Sequence, residues 1–404
     1  MTRHLLKLIW NRKRTNLLLM AEIFFSFLVL FGIVTVGVFY ADNYRRPLGF
    51  TYQDVWRIGI DMKRSGPETK DAAALETARQ LLLTVKELPE VAEVTAAFTS
   101  PYDRGSWTSD YKVDGRSYDY MLNRVTDSFR DVMGLEVLRG RWFSREDDGA
   151  TGFEPVVVNA RMAREVFGDG EPVGGIIPQE KPREGEPPRP ERRVIGVVRD
   201  FRQHGEFAAP TDYLFLRHRV DDPNVQAPRL MLIRLRPGTS AAFEERLMAR
   251  LQSVAPDWSF KVESLAEMRA SNHRERLAPV MVAVVVAAFL LLMVALGLTG
   301  VLWQNVTQRT REIGLRRAKG ATARRIHRQI LGEVTVMTSL AVALGMVLVL
   351  QFPLLDLLGF VSPGVFATSL VLSAVAIYGL ALACGYYPGR LATKVQPAEA
   401  LHYE

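Results

Sequence analysis

The sequence predicts a membrane α-helical fold: four transmembrane helices, with a large α+β extracytoplasmic domain between the first and the second. Three observations predict it: four apolar stretches of spanning length, an uneven distribution of charge, and two β-α-β patterns at the ends of residues 40–276. The stretches are 17–39, 280–302, 330–350 and 366–387. Each is long enough to cross about 30 Å of hydrocarbon as a helix rising about 1.5 Å per residue. Buried helices of soluble proteins are shorter and keep a polar face, which these stretches lack.

The first stretch follows a basic segment, a pattern it shares with cleaved signal peptides. Its apolar run is too long for one, and Val38-Phe39-Tyr40-Ala41-Asp42 offers no small-x-small cleavage site. It is expected to stay as an anchor.

Charge sets the expected orientation. Of the 51 Lys and Arg, five lie in residues 1–16, eight in 303–329 and two in 388–404. Between residues 40 and 276, 36 Lys and Arg stand against 38 Asp and Glu. Basic residues in short loops stay cytoplasmic, whereas long loops are translocated largely regardless of charge. Segments 1–16, 303–329 and 388–404 are therefore expected in the cytoplasm of a multi-pass cell-membrane protein, with both termini inside. Residues 40–276 and the short 351–365 loop are expected outside. The net charge of +7 then reflects topology and points to no nucleic acid. The lone cysteine, Cys384, lies in the fourth span, so the outer domain must be held by its own core.

Within the outer domain, 54–60 and 91–98 read as strands flanking a helix over 68–88. Residues 230–235 and 258–262 flank a second helix over 240–254. Leu75, Ala78, Leu82 and Val85, and Phe243, Leu247, Leu251 and Val254, recur at helical spacing. Each helix stops at a proline turn, Leu88-Pro89-Glu90 and Ala255-Pro256-Asp257. The two halves are expected to form one split β-α-β sandwich, with residues of about 100–229 inserted as a mostly β subdomain. Strands are expected there at 155–158, 193–198 and 213–217, with a helix at 160–167. The proline- and charge-rich run 178–192 reads as a solvated loop, with a docking loop as the alternative. Residues 264–277 lead into the second span without a breaker before Pro279, so a continuous helix is expected there.

The loop after the second span reads Arg309-Thr310-Arg311-Glu312-Ile313-Gly314-Leu315-Arg316-Arg317-Ala318-Lys319-Gly320-Ala321-Thr322. This is a short basic helix closed by Gly320, with Thr322 placed to cap the next one. Ile313 and Leu315 add apolar grip. Such a helix could rest on anionic lipid or dock a partner, and the lipid role leaves Glu-Ile-Gly and the break at Gly320 without a reason.

From Arg311 to Ala321 the loop resembles the Arg-Glu-Ile-Gly-(Ile/Leu)-Arg-Arg-Ala-x-Gly-Ala pattern of MacB/FtsX-like (LolC/LolE-type) ABC transporter permease subunits. Glu333 matches an intramembrane glutamate of that family. Tyr387-Pro388-Gly389-Arg390-Leu391-Ala392 with Pro397-Ala398-Glu399-Ala400-Leu401 is similar to its closing pattern, with Gly389 in place of the usual alanine. Three outer segments are similar to its periplasmic core: Gly140-Arg141-Trp142-Phe143 with Asp147, Val166-Phe167-Gly168 with Pro172-Val173-Gly174, and Val194-Ile195-Gly196-Val197-Val198-Arg199-Asp200. The resemblance implies a permease that couples ATP hydrolysis by a separate cytoplasmic ABC ATPase to conformational work outside, exporting or extracting a substrate. It assigns the coupling contact to Arg311, Glu312, Ile313, Gly314, Leu315, Arg316, Arg317 and Gly320. It also implies a second permease copy, identical or not, and leaves room for an extracytoplasmic substrate or partner protein.

No Gly-x-x-x-x-Gly-Lys-Ser/Thr occurs, so no cofactor is expected in this chain, and ATP and Mg would be bound by the ATPase partner. His4, His204, His218, His273, His327 and His402 show no metal-ligand spacing, and no Gly-x-Ser-x-Gly elbow appears, so the chain is not expected to be an enzyme by itself. The intramembrane acids Glu22 and Glu333 either snorkel or pair with a nearby Arg, or else brace the coupling loop. Gly297 and Gly300 could admit a close helix neighbour in a dimer. Two alternatives stay open: an FtsX-like regulator of an extracytoplasmic enzyme, and an ATP-independent membrane-bound sensor. Sensors usually carry two spans and a long cytoplasmic domain, unlike this chain.

Overall fold

The structure, a computed structural model, describes residues 13–62, 72–113, 116–150, 152–179, 190–223, 225–355 and 361–392. The outermost parts of the two tails, the start of the expected 68–88 helix, most of the 178–192 run and the middle of the 351–365 loop lie outside the described residues. The chain divides into two compact units, residues 43–275 and the remainder, called here the interspan domain and the membrane unit.

The described residues of the interspan domain build one mixed sheet of eleven strands. In chain order its elements begin with β1 (Val55–Asp61), α2 (Ala72–Lys86), β2 (Val91–Ala97), β3 (Thr108–Val113), β4 (Arg116–Val125), α3 (Phe129–Met133) and β5 (Val137–Gly140). There follow β6 (Phe153–Asn159), α4 (Ala160–Phe167), β7 (Ile176–Ile177), β8 (Glu191–Val198), β9 (Asp212–Arg217), β10 (Leu230–Leu235), α5 (Phe243–Val254) and β11 (Ser259–Ser264). The main path runs β11-β1-β10-β2-β4-β9-β6-β8-β5. The two β-α-β halves therefore interleave, since β10 of the second lies between β1 and β2 of the first.

Period-two alternation explains how one strand serves two cores. On β10, Met231, Ile233 and Leu235 join the cluster beneath α2 and α5. Leu230 and Leu232 face the other way, into a cluster with Phe129, Trp142, Phe201 and Phe215. The inserted strands also keep a core of their own, with Tyr120, Val158, Met162 and Leu214. The insertion extends the same sheet through the single pair Ala97↔Val125 and shares a core with the flanking halves. On α2 the buried face is Leu75, Ala78, Leu81 and Val85, one position away from the expected Leu82. Sequence spacing gave the stripe, and its exact rotation was set by packing against β2. Arg141 grips Asp147 through two bonds of 2.8 and 2.5 Å, and Trp142 donates to the Asp127 carbonyl at 2.8 Å, so this motif closes a turn.

His218, just after β9, is 3% exposed, and neither ring nitrogen has a hydrogen-bond partner among the described residues. Burial, helped by the Arg124 charge, pushes its imidazole down to about 4. Below the ordinary His value the unfolded chain takes up a proton that the folded chain refuses, so stability falls as pH drops from about 6.5 toward 4. The full effect is about 3 kcal/mol. His218→Phe should flatten that slope, read by denaturant unfolding of the full chain at pH 7 and pH 4.5. An unchanged slope would show that His218 is not the group responsible.

Among the described residues, four helices are long and apolar enough to cross a membrane, by length and composition. They are α1 (Lys13–Tyr44), α6 (Leu265–Gln308), α8 (Ala323–Val349) and α10 (Pro363–Ala392). Between them lie α7 (Thr310–Ala318) and α9 (Gln351–Leu354). Phe27, Leu298, Val342 and Ile377, one from each long helix, meet in a common apolar cluster. Tyr378 donates to Ser339 at 2.8 Å, which gives its hydroxyl a partner between α10 and α8. Near one end, Trp303 stacks on Tyr387 with both rings exposed, as suits aromatics at a lipid–water boundary. Helix α6 runs without interruption from the interspan domain into the membrane unit, with Pro279 inside it.

Candidate functional site

Helix α7 is a nine-residue helix between two long ones, and its sequence gives it two faces. Gly320, at φ +91°, ends it in a conformation that side chains other than glycine rarely adopt. Thr322 then caps α8 by accepting from the Arg325 amide at 3.3 Å. The inward face is apolar: Ile313, 6% exposed, packs with Val306, Ile326 and Ile330. Gly314 is buried beside it. The outward face carries Arg311, Glu312 and Leu315, the last 48% exposed. The side chain of Arg317 lies outside the described residues.

A polar chain ties this helix to α8. Glu312 accepts from Arg316, and Arg316 also donates to Gln329 at 2.8 Å. Gln329 donates to Glu333 at 3.3 Å, and Arg309 reaches both oxygens of Glu333 at 3.0 Å. Gln329 and Glu333 stand four residues apart on one face of α8, so they offer two successive handholds. Arg309 and Glu333 are 18% and 12% exposed, which withdraws this pair from most of the screening that makes surface ion pairs weak. Together these side chains line a cleft open to one side. Apolar and polar contacts hold α7 to the end of α6 and to α8 at once.

Glu22 lies elsewhere, against α6. A Cβ at Gly297 would stand 2.6 Å from its Oε2, so Glu22 packs against Gly297 within this chain. Gly300 has open space beside it. The sequence reading grouped Ile313 with Leu315 as apolar grip, but only Leu315 faces outward. It also missed Arg309 and Gln329. The signal for Gln329 was its i,i+4 spacing from Glu333.

A family model described as MacB-like periplasmic core domain matches residues 17–250, and one described as FtsX-like permease C-terminal matches residues 284–397. The macrolide export ATP-binding/permease protein MacB of Bdellovibrio bacteriovorus is 28% identical over 305 residues, which cover 72% of this chain and 45% of that protein. The Bacillus subtilis ABC transporter permease YvrN is 25% identical over 362 residues, covering 86% of this chain and 84% of that one. The chain thus spans about half the length of the first and most of the second. Among solved structures, the periplasmic region of MacB from Actinobacillus actinomycetemcomitans superposes with a TM-score of 0.39 at 16% identity, covering 55% of this chain and 92% of that one.

Proposed function

The chain belongs to the MacB/FtsX-like family of ABC transporter permeases, multi-pass membrane proteins, and from that premise we propose that it converts ATP turnover on an ATPase subunit into work by its interspan domain. The ATPase binds ATP and Mg, and docks on α7 through Arg311, Glu312, Leu315 and Arg316, with Arg317 on the same helix. Ile313, Gly314 and Gly320 hold that helix in place. Two permeases associate, so that closure of two ATPases draws their spans together and moves the domains outside the cell membrane. Residues 1–16, 303–329 and 388–404 are cytoplasmic, and the interspan domain is extracytoplasmic. The work is export or extraction of a substrate; the Bdellovibrio relative is named for macrolide export.

The observation that carries this reading is the two-faced build of α7. A helix that merely rests on lipid needs no ion-pair chain into the next span, whereas a helix that is pushed does. Supporting it, eight Lys and Arg lie in residues 303–329, as positive-inside orientation requires. A photoreactive residue in place of Leu315 tests it in membranes that contain the ATPase subunit. The expected product is an adduct with that subunit. Adducts with lipid alone, or labelling of position 315 from the same side as position 150, would contradict it.

A further inference from the structure

The segment between β8 and β9 makes contacts that the sequence reading gave no role. Arg202 is 3% exposed, and both of its Nη atoms donate to backbone oxygens. One Nη donates to the carbonyls of Asn43 and Arg46 at 2.8 and 3.1 Å, at the C-terminal end of α1. The other donates to Glu206 and Ala208, both at 2.7 Å, which fixes the turn itself. The Arg202 amide adds a bond to the Leu48 carbonyl at 3.0 Å. Four residues on, the 6% exposed Glu206 receives Arg269 through its Nε and faces His273 Nε2 at 3.0 Å. Arg269 and His273 are one turn apart on the first turns of α6, so both reach the same carboxylate.

The turn between these two residues is tightly built. Gly205 sits at φ +81°, and a Cβ there would come within 2.7 Å of the Tyr102 ring. Phe207 stacks on Tyr44 at 5.7 Å and meets the His273 ring edge-on at 4.9 Å, which adds an apolar bond between the same two helix ends. Arg269 also lies over the Tyr52 ring at 4.6 Å. Burial opposes ionisation of Glu206, but the hydrogen bonds from Arg269 and His273 outweigh it and hold its carboxyl below the usual range. The carboxylate is therefore charged at neutral pH and bound to two cation-capable groups.

We infer that the 202–206 turn is the joint at which movement of α1 and α6 is handed to the interspan sheet, with Arg202 and Glu206 as its positioning residues. One turn grips the end of the first span helix through Arg202 and the start of the second through Glu206, and it lies in the chain between β8 and β9, the strands on either side of β6. Any change in the separation of the two helices must strain this turn or move the strands attached to it. The inference rests on the coupling role proposed above and adds where that coupling enters the domain.

The test uses the full chain with its ATPase subunit in membranes, in a Cys384→Ser background. Hydrogen exchange in β8 and β9 is compared between nucleotide-free and vanadate-trapped states. The wild-type joint should give a nucleotide-dependent difference there. Glu206→Cys with Arg269→Cys should lose that difference while ATP turnover continues. A short reducible thiol crosslinker joining the two cysteines should restore it, and reduction should abolish it again in the same molecules. An unlinked variant that responds like the wild type overturns the joint and leaves the coupling role standing. Failure of the crosslink to restore the response also overturns it, because the loss is then ordinary damage. A wild type with no nucleotide-dependent difference rejects the coupling role and the joint with it.

Discussion

Arg309→Met should destabilise the membrane unit by about 3 kcal/mol, the lower end of what removing one partner from a buried ion pair costs. The reason is the partner left behind. Glu333 is 12% exposed, accepts from Arg309 on both oxygens, and would keep only the Gln329 amide at 3.3 Å. Unpaired carboxylate in an apolar surround carries a desolvation penalty that one amide does not offset. The double variant Arg309→Met/Glu333→Met should recover most of the loss, because packing replaces charge without leaving an orphan. Thermal unfolding of the full chain in detergent reads both. A double variant as unstable as the single would mean that Arg309 works by packing and not by pairing.

The same contacts show which features the sequence could carry. The four spans were legible because apolar length is a local property, and so were α4, β10 and the stripe on α5, where spacing alone decides the period. The interleaving of β10 between β1 and β2 was not legible, since residues 91 and 230 are joined by no local pattern. Nor was the core that Val55 and Leu230 share with Phe129 and Phe215 of the insertion. On α7, Ile313 and Leu315 are both apolar residues among charges, and nine residues give too few turns for spacing to say which faces in. Arg202 and Glu206 were invisible for a related reason. Polar residues in a turn have no periodicity, and their partners lie about 160 and 65 residues away in the chain.

The outward face of α7 carries the second large effect. Arg311 and Leu315 are exposed, while Ile313 and the Arg309–Glu333 pair hold the helix from within. Arg311→Glu with Leu315→Asp therefore reverses one charge and removes one apolar anchor without touching the seat. Interface anchors of this kind commonly cost about 2 kcal/mol or more each, roughly thirtyfold in affinity. Together the two changes should release the ATPase subunit while the permease stays folded and inserted. The direct measurement is ATP turnover by the ATPase subunit reconstituted with wild-type or doubly substituted permease, with the amount of subunit retained on the membrane read in parallel. The account predicts that both the retained subunit and the permease-dependent turnover are lost with the double substitution. Full retention and wild-type turnover would contradict it.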